Sequence, residues 1–489
     1  LEQLYIKAGK LADARTLLTK FQQSATAVDD KLQTQVELAR ITLLQGAEKT
    51  ALSQLNDVIT QDAGNESAIL LRGAVSLKNK QFDNAIADAR TVLNTDVNSI
   101  AALGLLSQAY TATGDIDLAT DTLRRLERLA PTDVGVRLRL ASLLASKAPN
   151  AALEQLDAAM ALRPDATELA VQKADYLVRI GQPDKAEVIA TALAKDPKFG
   201  GAAHRILGET ALARADYSGA IDELNKAESA GEPFASVAPV LVSAYVKGGR
   251  MNDAISLLSD RVGKQADDTV SERLLASLYM QKGNTADAEH LLRQVIDQHP
   301  DESESYIELA QLFTAERRPQ DAVGILDTAS QKFPADERVL TFAAISHDSA
   351  GDLDAARKLY EAILEKSPNN TVAANNLAAL IADAFSSDDK QLDRARQLAE
   401  QFRNSSDPLL VDTLGWVLVR QGNFEDATIL LARASSLAPT NQQIAFHYAM
   451  ALKGKGLPVK AKEAVAKAVS GSPDYRGLDE AKALATSLN

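Results

Sequence analysis

Apolar positions return along this chain on a fixed beat, and one alanine marks it most clearly. Ala14, Ala51, Ala85, Ala119, Ala152, Ala186, Ala220, Ala254, Ala288, Ala322, Ala356, Ala395, Ala427 and Ala461 are separated by 34 residues in nine of thirteen intervals, the others being 37, 33, 39 and 32. A period of this size is the mark of a repeat architecture. Five residues before most of these alanines stands a glycine (Gly9, Gly46, Gly114, Gly181, Gly249, Gly283, Gly351, Gly422, Gly456), with Lys80, Lys147, Ala215 and Arg317 as substitutes. Glycine there suits the left-handed turn that ends a helix. Twelve residues after the alanine a proline closes the better repeats, as at Pro131, Pro164, Pro300, Pro334, Pro368, Pro439 and Pro473, and stops a second helix. The beat therefore predicts pairs of short helices. Small residues at Gly208, Ala276, Ala310, Ala344, Gly415 and Ala449 let the two helices of a pair approach, while Tyr110, Tyr245, Tyr279 and Phe313 fill the space between them.

The pattern resembles the tetratricopeptide repeat over nearly the whole chain. The clearest copy reads Leu414, Gly415, Leu418, Gly422, Phe424, Ala427, Ala434, Pro439, and Leu106, Tyr110, Gly114, Ala119, Pro131 agree with it. The resemblance implies an all-α fold, a right-handed α-solenoid of about 14 helix hairpins in which each pair buries its apolar stripe only against its neighbours. Residues 1–476 read as one continuous solenoid, with weak repeats over 1–65, regular repeats over 66–370 and final repeats over 392–476. Residues 477–489 read as a C-terminal capping helix. The interval from Ala356 to Ala395 predicts a protruding loop near 384–391, in the turn Ser386 to Lys390. The first interval predicts a long turn around Ala25 to Asp30. Leu1 opens partway through a helical pattern, so further chain is expected upstream.

Composition narrows the picture. Hydrophobic residues make up 46% and aromatics only 4%, with Ala and Leu dominant, which favours helices over strands. The net charge of −13 argues against a phosphate-neutralising surface, so no nucleic-acid partner is expected. No apolar run is long enough to span a membrane, and Leu1 opens directly into helical pattern without a charged n-region or an apolar h-region. The absence of cysteine excludes disulfides, thiolate metal sites and cysteine catalysis, and is compatible with an exported bacterial protein.

No His-Glu-x-x-His, Gly-x-Ser-x-Gly, phosphate-binding loop or dinucleotide fingerprint occurs. The five histidines, His204, His290, His299, His347 and His447, fall in different repeats or on different helices, and solvated or packing roles account for them. Acid pairs such as Asp267-Asp268 and Asp388-Asp389 read as turn residues. No catalytic residue, metal or cofactor is expected, and the chain is not expected to be an enzyme.

Function then belongs to the surface. The family resemblance implies a concave face lined by each first helix, and counting back from the turn glycine places Asp175, Glu209, Asn375 and others inward. The carboxylate clamp of chaperone-binding relatives needs Lys and Asn at successive inward positions, and Asn375 alone fits it. Arg137, Arg205 and Arg273 form either a basic seam for acidic segments or ion pairs with neighbouring repeats. Trp416, the one tryptophan, is expected with Phe446 and Met450 to make an apolar pocket rimmed by Asp412 and Arg420, or else to seal the end of the solenoid. The implied role is a protein or peptide scaffold, with a self-assembling structural subunit (a homo-oligomer) or a cytoplasmic adaptor as the alternatives. The segments Asp412-Thr413-Leu414-Gly415-Trp416, Gln421-Gly422-Asn423-Phe424 and Ala445-Phe446-His447-Tyr448 are similar to the last repeats of bacterial envelope lipoproteins of exosortase and exopolysaccharide systems. That similarity implies a periplasmic, outer-membrane-associated or extracellular location, against the cytoplasmic alternative.

Overall fold

The computed structural model describes residues 5, 8–265, 267–471 and 475–488. Among them lie 28 α-helices and one 3-10 turn, and no strand. None of these helices is long and apolar enough to cross a membrane. The chain divides into two compact units, Leu1–Gly249 and Arg250–Asn489. The division falls at a turn glycine, not at a linker.

Within each unit the helices alternate as first and second members of antiparallel pairs, and the alanine beat is the packing position of every second helix. All fourteen beat alanines are at most 1% exposed. A methyl is what the contact between two helix backbones admits, so the ladder is selected by volume. The facing small residue obeys the same constraint. A Cβ added at Gly415 would lie 2.5 Å from Leu431 Cγ, and one at Gly208 would lie 2.6 Å from Leu224 Cγ. Enlarging Ala288 to leucine should lower stability by about 1–3 kcal/mol. The same change at exposed Ala335 should move it by less than about 0.5 kcal/mol. Paired denaturant melts check the contrast, and equal effects would refute this packing.

The turn residue between the two helices is left-handed in both sequence types. The nine beat glycines have φ between 70° and 84°, and Lys80, Ala215 and Arg317 adopt φ of 59°, 60° and 58°. The reason is the hydrogen-bond pattern: Gly422 N–H donates to Val419 O at 3.0 Å and Asn423 N–H to Leu418 O at 2.9 Å, and Arg317 and Arg318 repeat this toward Thr314 and Phe313. That closure requires a left-handed residue whatever its side chain. Ala215→Gly should therefore raise stability by about 0.5–1 kcal/mol, since it removes a left-handed strain of about 1–2 kcal/mol at some cost in unfolded-chain entropy. An unchanged or lowered melting temperature would contradict the strain. Lys147 is the exception. It is not left-handed, because the 33-residue interval falls within this pair: the helix Val134–Leu144 stops after 11 residues, and the four residues Ala145 to Ala148 make a different turn before Pro149.

Two expected loops are absent. The extra residues near Ala25 to Asp30 lengthen the helix Val28–Leu44 to 17 residues; the linking turn holds only Ala25 to Ala27. Likewise, no loop protrudes at 384–391. Asp388 caps the helix Asp389–Ala399, its carboxylate accepting from Lys390 N–H and Gln391 N–H, so the insertion is absorbed as an additional N-terminal turn of helix. The C-terminal segment forms the helix Leu478–Ser487, which packs on the last helix pair through Ala481 and Leu484. Pro473 lies outside the described residues.

Candidate functional site

Trp416, Phe446, Asp412 and Arg420 do come together in the second unit, where the first helices Pro408–Arg420 and Gln442–Gly454 lie side by side. The sidedness follows from Gly415, which faces Leu431 of the second helix and turns the next residue, Trp416, away from that helix. The indole is only 3% exposed. It stacks on His447 at 4.1 Å and 9° and meets Phe446 at 5.6 Å. Its Nε1–H donates to Asp383 Oδ1 at 2.7 Å. The Arg420 guanidinium lies 4.9 Å from the indole centroid and donates from Nε to Ala382 O at 2.8 Å.

Two details correct the sequence expectation. Asp412 is not a rim residue: it is buried, with His447 Nδ1 2.9 Å from its Oδ2. Trp416 does not line an open groove, because the chain's own C-terminal segment covers it. Met450 is partly buried against the same core.

The covering segment is Tyr475-Arg476-Gly477. Tyr475 lies 6.3 Å from Phe446. Arg476 reaches Asp348 Oδ1 at 2.5 Å and Asp383 Oδ2 at 3.6 Å. Gly477 has φ of 95°, and a Cβ there would lie 2.9 Å from the Phe446 ring, so glycine is required on both counts. Beside this contact a cavity of about 200 Å³ remains, bounded by Trp416, Arg420, Phe446, Asp383, Arg476 and Glu480. Burial pushes the Asp383 carboxyl above the usual aspartate range, although the Trp416 N–H and the charges of His447, Arg476 and Arg420 oppose it. Burial also works against the Arg476 charge, and the bond to Asp348 with the carboxylates of Asp348 and Asp383 outweighs it. The site is a slot with an aromatic floor in which Asp383 and Glu480 face Arg420 and Arg476.

The three seam arginines are engaged within the chain. Arg205 bonds Glu209 at 2.6 Å, Asp175 at 2.8 Å and Glu232 at 3.2 Å. Arg273 bonds Glu308 at 2.6 Å and Glu302 at 2.9 Å. Arg137 bonds Glu127 at 2.6 Å and the carbonyl of Pro131 at 2.9 Å. They hold neighbouring repeats together, and their charge is not offered to a ligand. Counting back from Lys147 places Arg137 inward, but this helix pair is one residue short. The helix Val134–Leu144 keeps the spacing of the repeats before it, so Leu138, Ser142 and Arg139 take the groove positions. The 33-residue interval was the signal for this shift. Asn375 donates only to its neighbour Asn376, at 3.3 Å.

The partners Asp383, Asp348 and Arg476 carry no signal in the sequence, and His447, read there as a solvated or packing residue, is a buried packing partner of Trp416. Asp348 and Arg476 are 128 residues apart, and no repeat spacing links them.

Residues 171–233 and 279–345 each match a tetratricopeptide-repeat family model. A stretch of 119 residues, 24% of this chain, is 27% identical to a TPR repeat-containing protein of Pseudomonas aeruginosa, and the match spans only 19% of that relative's length. Among solved structures the chain is similar to the APC/C hetero-tetramer Cut9–Hcn1, at 13% identity and TM-score 0.40 over 100% of this chain and 95% of that one. It is also similar to Naa15/Naa10 bound to HypK-THB, at 15% identity and TM-score 0.33 over 92% and 70%. Nothing about function follows from likenesses at that level. The buried alanine, the left-handed turn and the small packing residue recur in both units, and a family model matches inside each: both units carry tetratricopeptide repeats.

Proposed function

We propose that the chain is a non-catalytic scaffold that holds a segment of another protein along the face formed by its first helices. Tetratricopeptide repeats generally mediate protein interactions, because an array of short helices presents a long, preformed surface at little ordering cost. The observation that carries the reading is the seating of Tyr475-Arg476-Gly477 against the first helices of the second unit. This face accepts a peptide-like segment within its own chain. The partner segment would take the place that Tyr475-Arg476-Gly477 holds, over Trp416 and Phe446 as apolar floor, with Arg420 and Met450 at the flanks and Asp412 holding His447 beneath them.

The work of the scaffold is bacterial envelope assembly or exopolysaccharide export, outside the cytoplasm. The support is the similarity of the segments around Trp416, Phe424 and Phe446 to the final repeats of envelope lipoproteins of that kind. Cell fractionation combined with photo-crosslinking tests both parts. A photoreactive residue at Ala384 or Thr111, on first helices, should crosslink one defined partner in the envelope fraction. The same residue at Val188 or Ile429, exposed on second helices, should not. Crosslinks from the second-helix positions alone would overturn the site, and a purely cytosolic protein would overturn the location.

A further inference from the structure

We infer that the first unit carries a separate site, a trough along the helix Val134–Leu144 that takes an acidic peptide segment bearing apolar side chains. It rests on the scaffold reading and specifies a second surface and its ligand.

The trough exists because the first helices are splayed here. Glu66–Lys78 approaches Ile100–Thr113 closely, as Thr167–Arg179 approaches Gly200–Ala213, whereas the two helices flanking Val134–Leu144 stand further from it. Close approach at the first of these contacts depends on Gly73, where a Cβ would lie 2.6 Å from Leu105 Cδ2. Val134–Leu144 instead presents Arg139 and Leu143 to Ile100–Thr113. Cavities of about 250 and 330 Å³ open on its two sides and share Ser142. Apolar walls come from Leu143 and Leu123 on one side, and from Leu138 and Leu156 on the other.

Charge selects the ligand. Arg139 lines the first cavity and Arg179 the second. Neither has a hydrogen bond or ion pair among the described residues, and Arg179 only lies 5.5 Å from the Tyr176 ring. This sets them apart from Arg72, Arg137 and Arg205 of the same unit, each satisfied by a carboxylate. The one acid in the trough, Asp175, is bonded to Arg205, and the remaining polar lining of Ser107, Gln108, Thr111, Ser142 and Gln172 is neutral. In a chain of net charge −13, two unpaired guanidinium groups beside apolar hollows are complementary to carboxylates carried next to leucine-like side chains. Packed helices stand about 8–10 Å apart and these stand further, so a segment spanning three first helices covers more than about 20 Å, or more than about six extended residues.

The test uses the purified full chain and a labelled, end-blocked probe of about ten glutamate and leucine residues, followed by fluorescence anisotropy at low salt. The probe should bind, added salt should weaken it, and a matching lysine–leucine probe should not bind. Arg139→Glu and Arg179→Glu should each weaken binding at least about tenfold, the effect of losing a charge-assisted bond. Arg124→Glu, an equal charge change at an exposed second-helix position, should leave it unaltered. Arg139→Gln and Arg179→Gln serve as milder variants if circular dichroism shows that a reversal disturbs folding. No binding at millimolar probe would overturn the inference, and so would equal losses in all three reversals. Self-association abolished by Arg139→Glu would identify a second copy as the occupant and overturn the peptide assignment. Failure of the probe alongside successful envelope crosslinking from Ala384 would remove this trough and leave the scaffold reading standing.

Discussion

Trp416→Ala should destabilise the second unit by about 3–5 kcal/mol, the usual cost of truncating a buried large aromatic residue. The indole is 3% exposed. It stacks on His447, and its N–H satisfies a buried carboxylate. Removal leaves a cavity and strips Asp383 of a donor, and both effects act in the same direction. The expected result is a large drop in the denaturant midpoint, with amide exchange in the helix Gln442–Gly454 accelerated most. As the one tryptophan, it also reports on itself: native emission should be blue-shifted and move red on unfolding. A loss below about 1 kcal/mol would mean that the indole is an open pocket wall and not part of the core.

Arg205→Met should cost about 3–5 kcal/mol at neutral pH, as expected when one member of a buried ion network is deleted. The side chain is 15% exposed and sits among Asp175, Glu209 and Glu232. Without it three carboxylates face one another uncompensated. The sign of the pH dependence follows. Burial already holds Glu209 above the usual glutamate range, against the opposing pull of Arg205, and deleting the arginine raises it further. A carboxyl whose folded value lies above its unfolded value favours the folded state below the unfolded value and loses that contribution as pH rises through the folded value. The deficit of Arg205→Met should therefore be greatest near pH 7 and shrink as pH falls toward the ordinary carboxylate range. Melts of both proteins across that range check this, and a pH-independent deficit would contradict it.

The fold was legible in the sequence because its determinants are local and periodic. Volume at the beat alanine and handedness at the turn are set within one repeat, so three of the four residues standing at the glycine position, Lys80, Ala215 and Arg317, share its left-handed conformation, and Lys147 does not. Legibility failed where the period changes. One residue lost before Ala152 moved the groove position from Arg137 to Leu138 and brought Arg139 to the wall of the trough, while residues inserted before Ala395 entered a helix capped by Asp388 and those before Ala51 lengthened Val28–Leu44, which has no side-chain cap. The candidate site was partly legible. Register placed Trp416 beside Phe446. It could not place Arg476 against Asp348, because that contact depends on how a terminal segment returns over the repeats. Nor could it separate Arg205, neutralised by three acids, from Arg139, which has none.

The central claim is that this chain works by holding a protein segment on its first helices. Hydrogen–deuterium exchange of the full chain, with and without the partner recovered by crosslinking, tests it most directly. The account predicts partner-dependent protection on first helices, led by Val134–Leu144, Thr167–Arg179 and Pro408–Arg420, with the second helices unchanged. Protection confined to second helices such as Pro183–Leu193 or Phe424–Leu437 would contradict it.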